Sequence, residues 1–171
     1  CLFADMHCDT ITTLYDRVQK GSKETLRSNS KQIDFEKLAE SNYLMQNFAV
    51  FLDKGIWTEN LFKETMLRID FFKKQMVQNT DVIRQVTTVG EILQNEKENR
   101  ISALLTLEGG ECLEGNLDNL TAFHEEGVRM ITLTWNYDNS LCTANANKSP
   151  WKRNYSGNRA GLTETGIEFV E

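Results

Sequence analysis

Three polar side chains near the start of the chain are the first candidates for chemistry. In the stretch FADMHCDT, residues 3–10, Asp5, His7 and Asp9 are each two residues apart. In a β-strand this spacing places all three on one face. Carboxylates and an imidazole are costly to bury unpaired, and they are also donors that bind divalent metals. A metal site is therefore one hypothesis. The alternatives are that His7 is an ordinary core histidine and that Asp9 only caps the following helix.

A third carboxylate comes at the end of an apolar run, ISALLTLE, at residues 101–108. Such a run is typical of a strand buried on both faces, so Glu108 at its end needs a partner. A later run, RMITLTWN, ends in Trp135 and Asn136. Chemistry in parallel β/α proteins lies at the carboxyl ends of the strands, so we expect the strand-end side chains to converge there.

Other reactive side chains receive structural interpretations. His124 lies near the end of a predicted helix, where a cation is favourable. Cys8 alternates with His7 and is expected to pack against a helix. Cys112 has no evident base beside it and is not predicted to be a nucleophile. Glu111 is expected to be a solvated loop residue near the mouth of the site.

Strands and helices alternate along the sequence, with a polar loop at 20–32 and a polar stretch at 137–161. This alternation predicts an α/β fold with a parallel sheet and helices outside it. Strands are predicted at 2–8, 43–52, 101–110 and 129–136, and helices at 9–20, 34–42, 58–79, 89–99, 116–127 and from Thr163 onward.

Composition excludes several classes of partner. The 171 residues carry a net charge of −6, which argues against a nucleic-acid surface. No apolar run is long enough to span a membrane, and the start has no basic segment of a signal peptide. The four cysteines show no CxxC spacing, which argues against a zinc ribbon and favours reduced thiols over two disulfides. We therefore predict a cytoplasmic location.

Four motifs in order, DMHCDT, MQNFAVFL, EGGECLEGNLDNLTAFHEEGVRMITLTWN and GLTETGIEFVE, carry a resemblance across the whole chain. Together they resemble the membrane dipeptidase (renal dipeptidase) family, zinc peptidase family M19 of the amidohydrolase superfamily. The LTWN segment is similar to the bacterial branch of that family. The resemblance implies a parallel (β/α)8 TIM barrel, of which residues 1–171 are expected to be the N-terminal half, four β/α units of a single domain.

The resemblance also implies roles for the strand-end residues. His7 and Asp9 match the ligands of one zinc ion, and Glu108 matches a glutamate that bridges two. Asp5, one step deeper, is expected to hold a ligand or a water in place. Trp135 and Asn136 lie where the family binds substrate. The proton-shuttling aspartate and the remaining histidine ligands are expected downstream, so no catalytic residue is assigned within the chain.

The implied activity is hydrolysis of a small dipeptide by a zinc-activated water, with the chain inactive on its own. Two alternatives remain open: another amidohydrolase acting on lactones or N-acyl amino acids, and a metal-free half-barrel that serves as a binding or assembly module. A half-barrel also leaves two sheet edges open, which predicts self-association into a homo-oligomer.

Overall fold

The computed structural model describes residues 1–144 and 161–171, which leaves residues 145–160 of the predicted polar stretch outside the description. The strands are β1 (Phe3–Asp5), β2 (Tyr43–Phe51), β3 (Ile83–Gln85), β4 (Ile101–Glu108) and β5 (Val128–Thr132). The helices are α1 (Thr10–Gln19), α2 (Phe35–Glu40), α3 (Leu61–Gln78), α4 (Val89–Lys97), α5 (Leu117–Glu125) and α6 (Glu164–Val170), with a 3-10 turn at Gly110–Leu113.

The five strands form one parallel sheet. β2 lies between β1 and β4. The edge of β4 that faces away from β2 pairs with both β3 and β5. β3 occupies its first part, at Ile101–Ala103, and β5 its second part, at Leu105–Glu108. The parallel sheet and the alternation with helices confirm the predicted fold class. Strands β1, β2, β4 and β5 are the four strands predicted from the sequence, and β3 is an additional short strand.

Two strand predictions extend three or more residues beyond the observed strand, and one strand was missed. The strand predicted at 2–8 ends at Asp5, so His7 and Asp9 lie in the connection to α1 and not on a strand face. That connection still follows β2, because Ala49 N donates a 2.9 Å hydrogen bond to Cys8 O. The strand predicted at 129–136 ends at Thr132. β3 was missed because its three residues, with one buried apolar side chain, are too short to show a period.

Capping residues define the starts of two helices. The side chain of Asp34 accepts a hydrogen bond from Lys37 N at the start of α2. Thr88 and Glu91 form a complete capping box at the start of α4. These bonds satisfy backbone N–H groups that have no partner within the helix.

The core lies between the sheet and the helices, centred on Phe48 of β2. Its ring packs against Phe35 of α2 and Phe72 of α3, with centroids 6.1 and 5.7 Å away. Cys8 joins this core, as predicted. All four cysteines are free thiols. Within the described residues no helix combines the length and the apolar character that crossing a membrane requires.

Candidate metal centre

His7, Asp9 and Glu108 come together at the carboxyl end of the sheet. His7 Nε2 lies 3.1 Å from Asp9 Oδ1 and 3.1 Å from Glu108 Oε2. One potential ligand atom from each residue lies within 4.8 Å of the other two. One imidazole nitrogen with two carboxylate oxygens is a donor set that suits zinc. These three side chains therefore fit a shared divalent metal.

Two packed elements hold the three donors in place. Glu108 ends β4 and pairs in register with Phe51, the last residue of β2. Thr12 of α1 binds the backbone of Phe51 through two hydrogen bonds. Its hydroxyl donates to Phe51 O at 2.9 Å and accepts from Phe51 N at 3.2 Å. α1 begins directly after Asp9, so this contact fixes the His7–Asp9 segment relative to Glu108.

The geometry argues against both simpler interpretations of the first two donors. The His7 side chain is 45% exposed, which is not the environment of a core histidine. Asp9 occupies the N-cap position of α1, but its side chain makes no capping hydrogen bond and instead faces His7. Asp5 accepts a 3.3 Å hydrogen bond from the backbone N of His7, so it contacts the segment through the main chain. The roles assigned to these residues stay predictions.

Electrostatics make the cluster receptive to a cation. Glu108 is 17% exposed, and its partial burial raises the pKa of its carboxyl group. The nearby charge of Asp9 raises that pKa further, while His7 opposes the shift. Two carboxylates close together in a partly dry site repel each other, and a bound cation would remove that repulsion.

The Gly109-Gly110 turn joins the end of β4 to the end of β5. The backbone N of Gly109 donates to Thr132 O, and that of Gly110 donates to Leu133 O, both at 3.1 Å. Gly109 has a φ of +93°, and a Cβ added to Gly110 would lie 2.7 Å from Leu133 O. Glycine is therefore required at both positions, first by conformation and then by space.

Glu111 was expected to be solvated, and the structure corrects this. Its side chain is buried beneath the turn, against Gly109. Burial raises the pKa of its carboxyl group, while the charge of Lys54 and a hydrogen bond from Asn139 act in the opposite direction. A carboxylate in a polar loop gives no sequence signal of burial, because most such residues are exposed.

Trp135 and Asn136 lie beyond β5, on the rim next to the cluster. Trp135 is 40% exposed and packs edge-on against Phe51, with ring centroids 4.9 Å apart. Tyr137 covers another part of the same ring at 6.0 Å. Trp135 is thus linked to the candidate centre through Phe51, the residue paired with Glu108. Asn136 is half-buried beside it, and a substrate contact by either residue stays a prediction.

A cavity of about 390 Å³ opens beside His7 and Asp9. The end of the polar loop predicted at 20–32 forms one of its walls, through Lys31 and Gln32. Its volume lies in the range of small-molecule sites. His124 lies in the last turn of α5, where the sequence placed it, and is exposed. Burial raises the pKa of the Cys112 thiol to about 12.

Sequence comparison places this geometry in a family. The family model for membrane dipeptidase (peptidase family M19) matches residues 1–171. An uncharacterized protein in the PQQ-III 3′ region of Acinetobacter calcoaceticus is 25% identical, over 98% of this chain and 58% of its own length. Dipeptidase aclJ of Aspergillus oryzae is 26% identical, over 81% of this chain and 33% of its own. The chain thus spans between a third and three fifths of these relatives.

Solved structures show the same fold. Dipeptidase AC, a metallopeptidase of family M19, superposes with a TM-score of 0.81 at 17% identity, over 99% of this chain and 52% of that one. A metallopeptidase from Rhodobacter sphaeroides, bound to a phosphinate mimic of the dipeptide L-Ala-D-Ala, gives 0.79 at 15% identity, over 99% and 55%. With the family model matching its full length, the chain belongs to the membrane dipeptidase family, peptidase family M19.

Proposed function

We propose that the protein to which this chain belongs is a zinc-dependent dipeptidase, and that residues 1–171 are the N-terminal half of its single barrel domain. The observation that carries the proposal is the convergence of His7, Asp9 and Glu108, whose donor atoms lie within 4.8 Å of one another at the strand ends. Family membership supports a metal-dependent peptidase. The coverage of about half of each solved relative supports the half-barrel.

The three donors would hold two zinc ions: His7 and Asp9 would be ligands of one ion, and Glu108 would be a ligand common to both. When bound, zinc lowers the pKa of a water and polarises a carbonyl group. The chain's own contribution is to orient these donors and to shield Glu108 partly from water. Asp5 holds the backbone of His7 in place through its 3.3 Å hydrogen bond. The aspartate that moves the proton to the leaving amine belongs to later strands of the barrel.

The proposed substrate is a dipeptide, and Trp135 and Asn136 are proposed to contact it. The exposed part of the Trp135 ring and the small cavity beside His7 both suit a short ligand. The four free thiols support action in the cytoplasm, where cysteines stay reduced.

The test uses the full-length protein and three single variants, His7→Ala, Asp9→Ala and Glu108→Gln. We expect about two zinc ions per wild-type molecule by elemental analysis. Each variant is expected to lose bound zinc and to hydrolyse dipeptides at least about 100-fold more slowly, because each removes a ligand. His124→Ala is the matched control, since it removes the other histidine of the chain, which lies exposed on α5.

The outcomes separate the candidate functions. Full dipeptide hydrolysis after complete removal of zinc would contradict the proposal. A substrate panel of dipeptides, lactones and N-acyl amino acids identifies the substrate class. Turnover of lactones or N-acyl amino acids without dipeptides would assign a different amidohydrolase activity to the same centre. No zinc and no turnover would leave a binding or assembly module.

A further inference from the structure

Arg68 is a charged side chain that is completely buried. It lies on α3 and shows no exposed surface, among the largest fully buried side chains in the described residues. Its Nη2 donates to Asp16 Oδ1 at 2.6 Å, and its Nη1 donates to Glu64 Oε2 at 3.0 Å and to Glu64 O at 2.9 Å. The guanidinium group therefore joins α3 to α1 through Asp16.

Two aromatic rings enclose the same guanidinium group. Its central carbon lies 4.7 Å from the centroid of Tyr15, in α1, and 5.0 Å from that of Trp57, in the loop between β2 and α3. Cations over aromatic faces gain electrostatic attraction, and more so when water is excluded. Arg68 thus connects three segments at one point: α1, α3 and the loop that follows β2.

Stability alone is a weak reason for this arrangement. Burying a charge has a large desolvation cost, and well-packed apolar residues often replace buried ion pairs without loss of stability. Arg68 also leaves its buried Nε without a hydrogen-bond partner among the described residues. The planar guanidinium group does offer a fixed geometry, because it binds carboxylates and stacks on rings at the same time.

The connected segments lead directly to the candidate centre. α1, which carries Asp16 and Tyr15, begins directly after Asp9. The same helix holds Phe51 at the end of β2 through the Thr12 hydroxyl. Phe51 in turn pairs with Glu108. A shift of α1 along its axis would therefore move His7 and Asp9 relative to Glu108.

We propose that Arg68 is a positioning residue for the metal centre, which sets the spacing between the His7–Asp9 segment and Glu108 by clamping α1 against α3 and Trp57. This inference rests on the proposed zinc-dependent function. Arg68 lies on α3, and in the proposed function it contacts neither the metal nor the substrate.

The experiment compares Arg68→Met, Arg68→Lys and Asp16→Asn in the full-length protein with Ile83→Ala as the control. Ile83 is fully buried in β3, so its truncation destabilises the fold away from α1. Two quantities are measured at a temperature where every variant is folded: the zinc dissociation constant and the hydrogen exchange of residues 7–15 in the zinc-free protein. Arg68→Lys keeps the charge but loses the planar fork, and Asp16→Asn keeps the arginine but loses its partner charge.

All three clamp variants are expected to bind zinc roughly 10-fold more weakly, the scale seen when groups that orient metal ligands are removed. Exchange at residues 7–15 is expected to be faster in each. Ile83→Ala is expected to lower the melting temperature while it leaves both quantities at wild-type values. If Arg68→Met does not fold, Arg68→Lys and Asp16→Asn carry the same expectation.

Wild-type zinc affinity and wild-type exchange in the clamp variants would overturn the inference. An equal weakening by Ile83→Ala would also overturn it, because the effect would then be a general loss of stability. A wild-type protein that binds no zinc would instead refute the proposed function. Exchange in the zinc-free protein would still decide whether Arg68 positions residues 7–15.

Discussion

Glu108 and Glu111 are three residues apart, and both are largely shielded from water, but they face different neighbours. Glu108 lies beside His7 and Asp9, with 17% of its side chain exposed. Glu111 lies beneath the glycine turn, where Lys54 is the nearest influence of opposite charge. Burial is the largest cause of the raised pKa in both groups. The first faces the other two side chains of the candidate metal centre, and the second is enclosed by the fold.

The buried Glu111 carboxyl group predicts a pH dependence of stability. Its folded-state pKa is raised above the ordinary value of 4.5, so its stabilising contribution is complete below pH 4.5 and is lost as pH rises through the folded pKa. Glu111→Gln removes this titration and should gain stability relative to wild type as pH increases. The measurement is the free energy of unfolding in urea at pH 4.5 and pH 8.

Glu125→Gln is the control for that comparison, because Glu125 is exposed on α5. Its stability difference from wild type should change less between the two pH values. A Glu111→Gln difference that stays constant with pH would show that Glu111 titrates as it does in the unfolded chain.

Residue types at the strand ends were predictable, but their surroundings were not. The sequence singled out His7, Asp9 and Glu108 because imidazole and carboxylate groups that follow apolar runs are costly to bury unless they have a partner. It gave no sign that Glu111 is buried or that Arg68 is enclosed. Arg68 lies beside Ile69 in an amphipathic pattern, where a charged residue is normally assigned to the solvated side.

At the scale of elements, close backbone approach decides where glycine is needed within a helix. Gly166 is buried in α6, and a Cβ there would collide with the backbone carbonyl of Leu141. Gly90 lies in the first turns of α4, where the nearest atom to an added Cβ is Thr88 Oγ1 at 3.9 Å. Two glycines in helices therefore have opposite tolerance for alanine.

We expect Gly166→Ala to destabilise the protein by about 1–3 kcal/mol, because the backbone of Leu141 has to move. Gly90→Ala is expected to stabilise it by about 0.5–1 kcal/mol, since alanine favours the helix and meets no obstacle. Urea denaturation of both variants measures the two effects. A neutral Gly166→Ala would indicate that α6 does not pack on Leu141 in solution.

The capping box of α4 provides a second test at this scale. Thr88→Ala removes the hydroxyl that accepts from Glu91 N, and we expect a loss of about 0.5–2 kcal/mol in the free energy of unfolding. Thr88→Ser retains the hydroxyl and should stay near wild type. Equal losses in the two variants would assign the effect to the lost methyl group instead.

The starts of α2, α4 and α6 were more predictable than the strand ends for a physical reason. Asp34, Thr88 and Thr163 each bond a backbone N–H within their own helix, so the signal is local in sequence. The end of β1 at Asp5 depends on pairing with β2, more than 30 residues away. β3 exists because Ile101–Ala103 offers an open edge, which no local pattern reveals.

At the scale of the whole molecule, the sheet has two outer edges. β1 pairs only with β2, and β5 only with β4, within residues 1–144 and 161–171. Leu2, Phe3 and Met6 beside the first edge are more than half exposed. Exposed strand edges with apolar neighbours are templates for further pairing.

We therefore expect the isolated 171-residue chain to self-associate, which sedimentation velocity at several concentrations measures. It should also bind zinc weakly and lack dipeptidase activity, because His7, Asp9 and Glu108 alone leave the coordination incomplete. The full-length protein is the control. A monodisperse monomer, or robust turnover by the isolated chain, would contradict the half-barrel proposal.

Because β3 and β5 share one edge of β4, the position of β3 limits the register in which β5 can pair with β4. β5 begins its pairing at Leu105, directly beyond the part of β4 that β3 already occupies. Sliding β5 toward the start of β4 would require β3 to detach first. The short strand β3 therefore blocks a shifted register of β5. In this way it fixes where along β4 the chain leaves β5 and continues to Trp135 at the rim of the site.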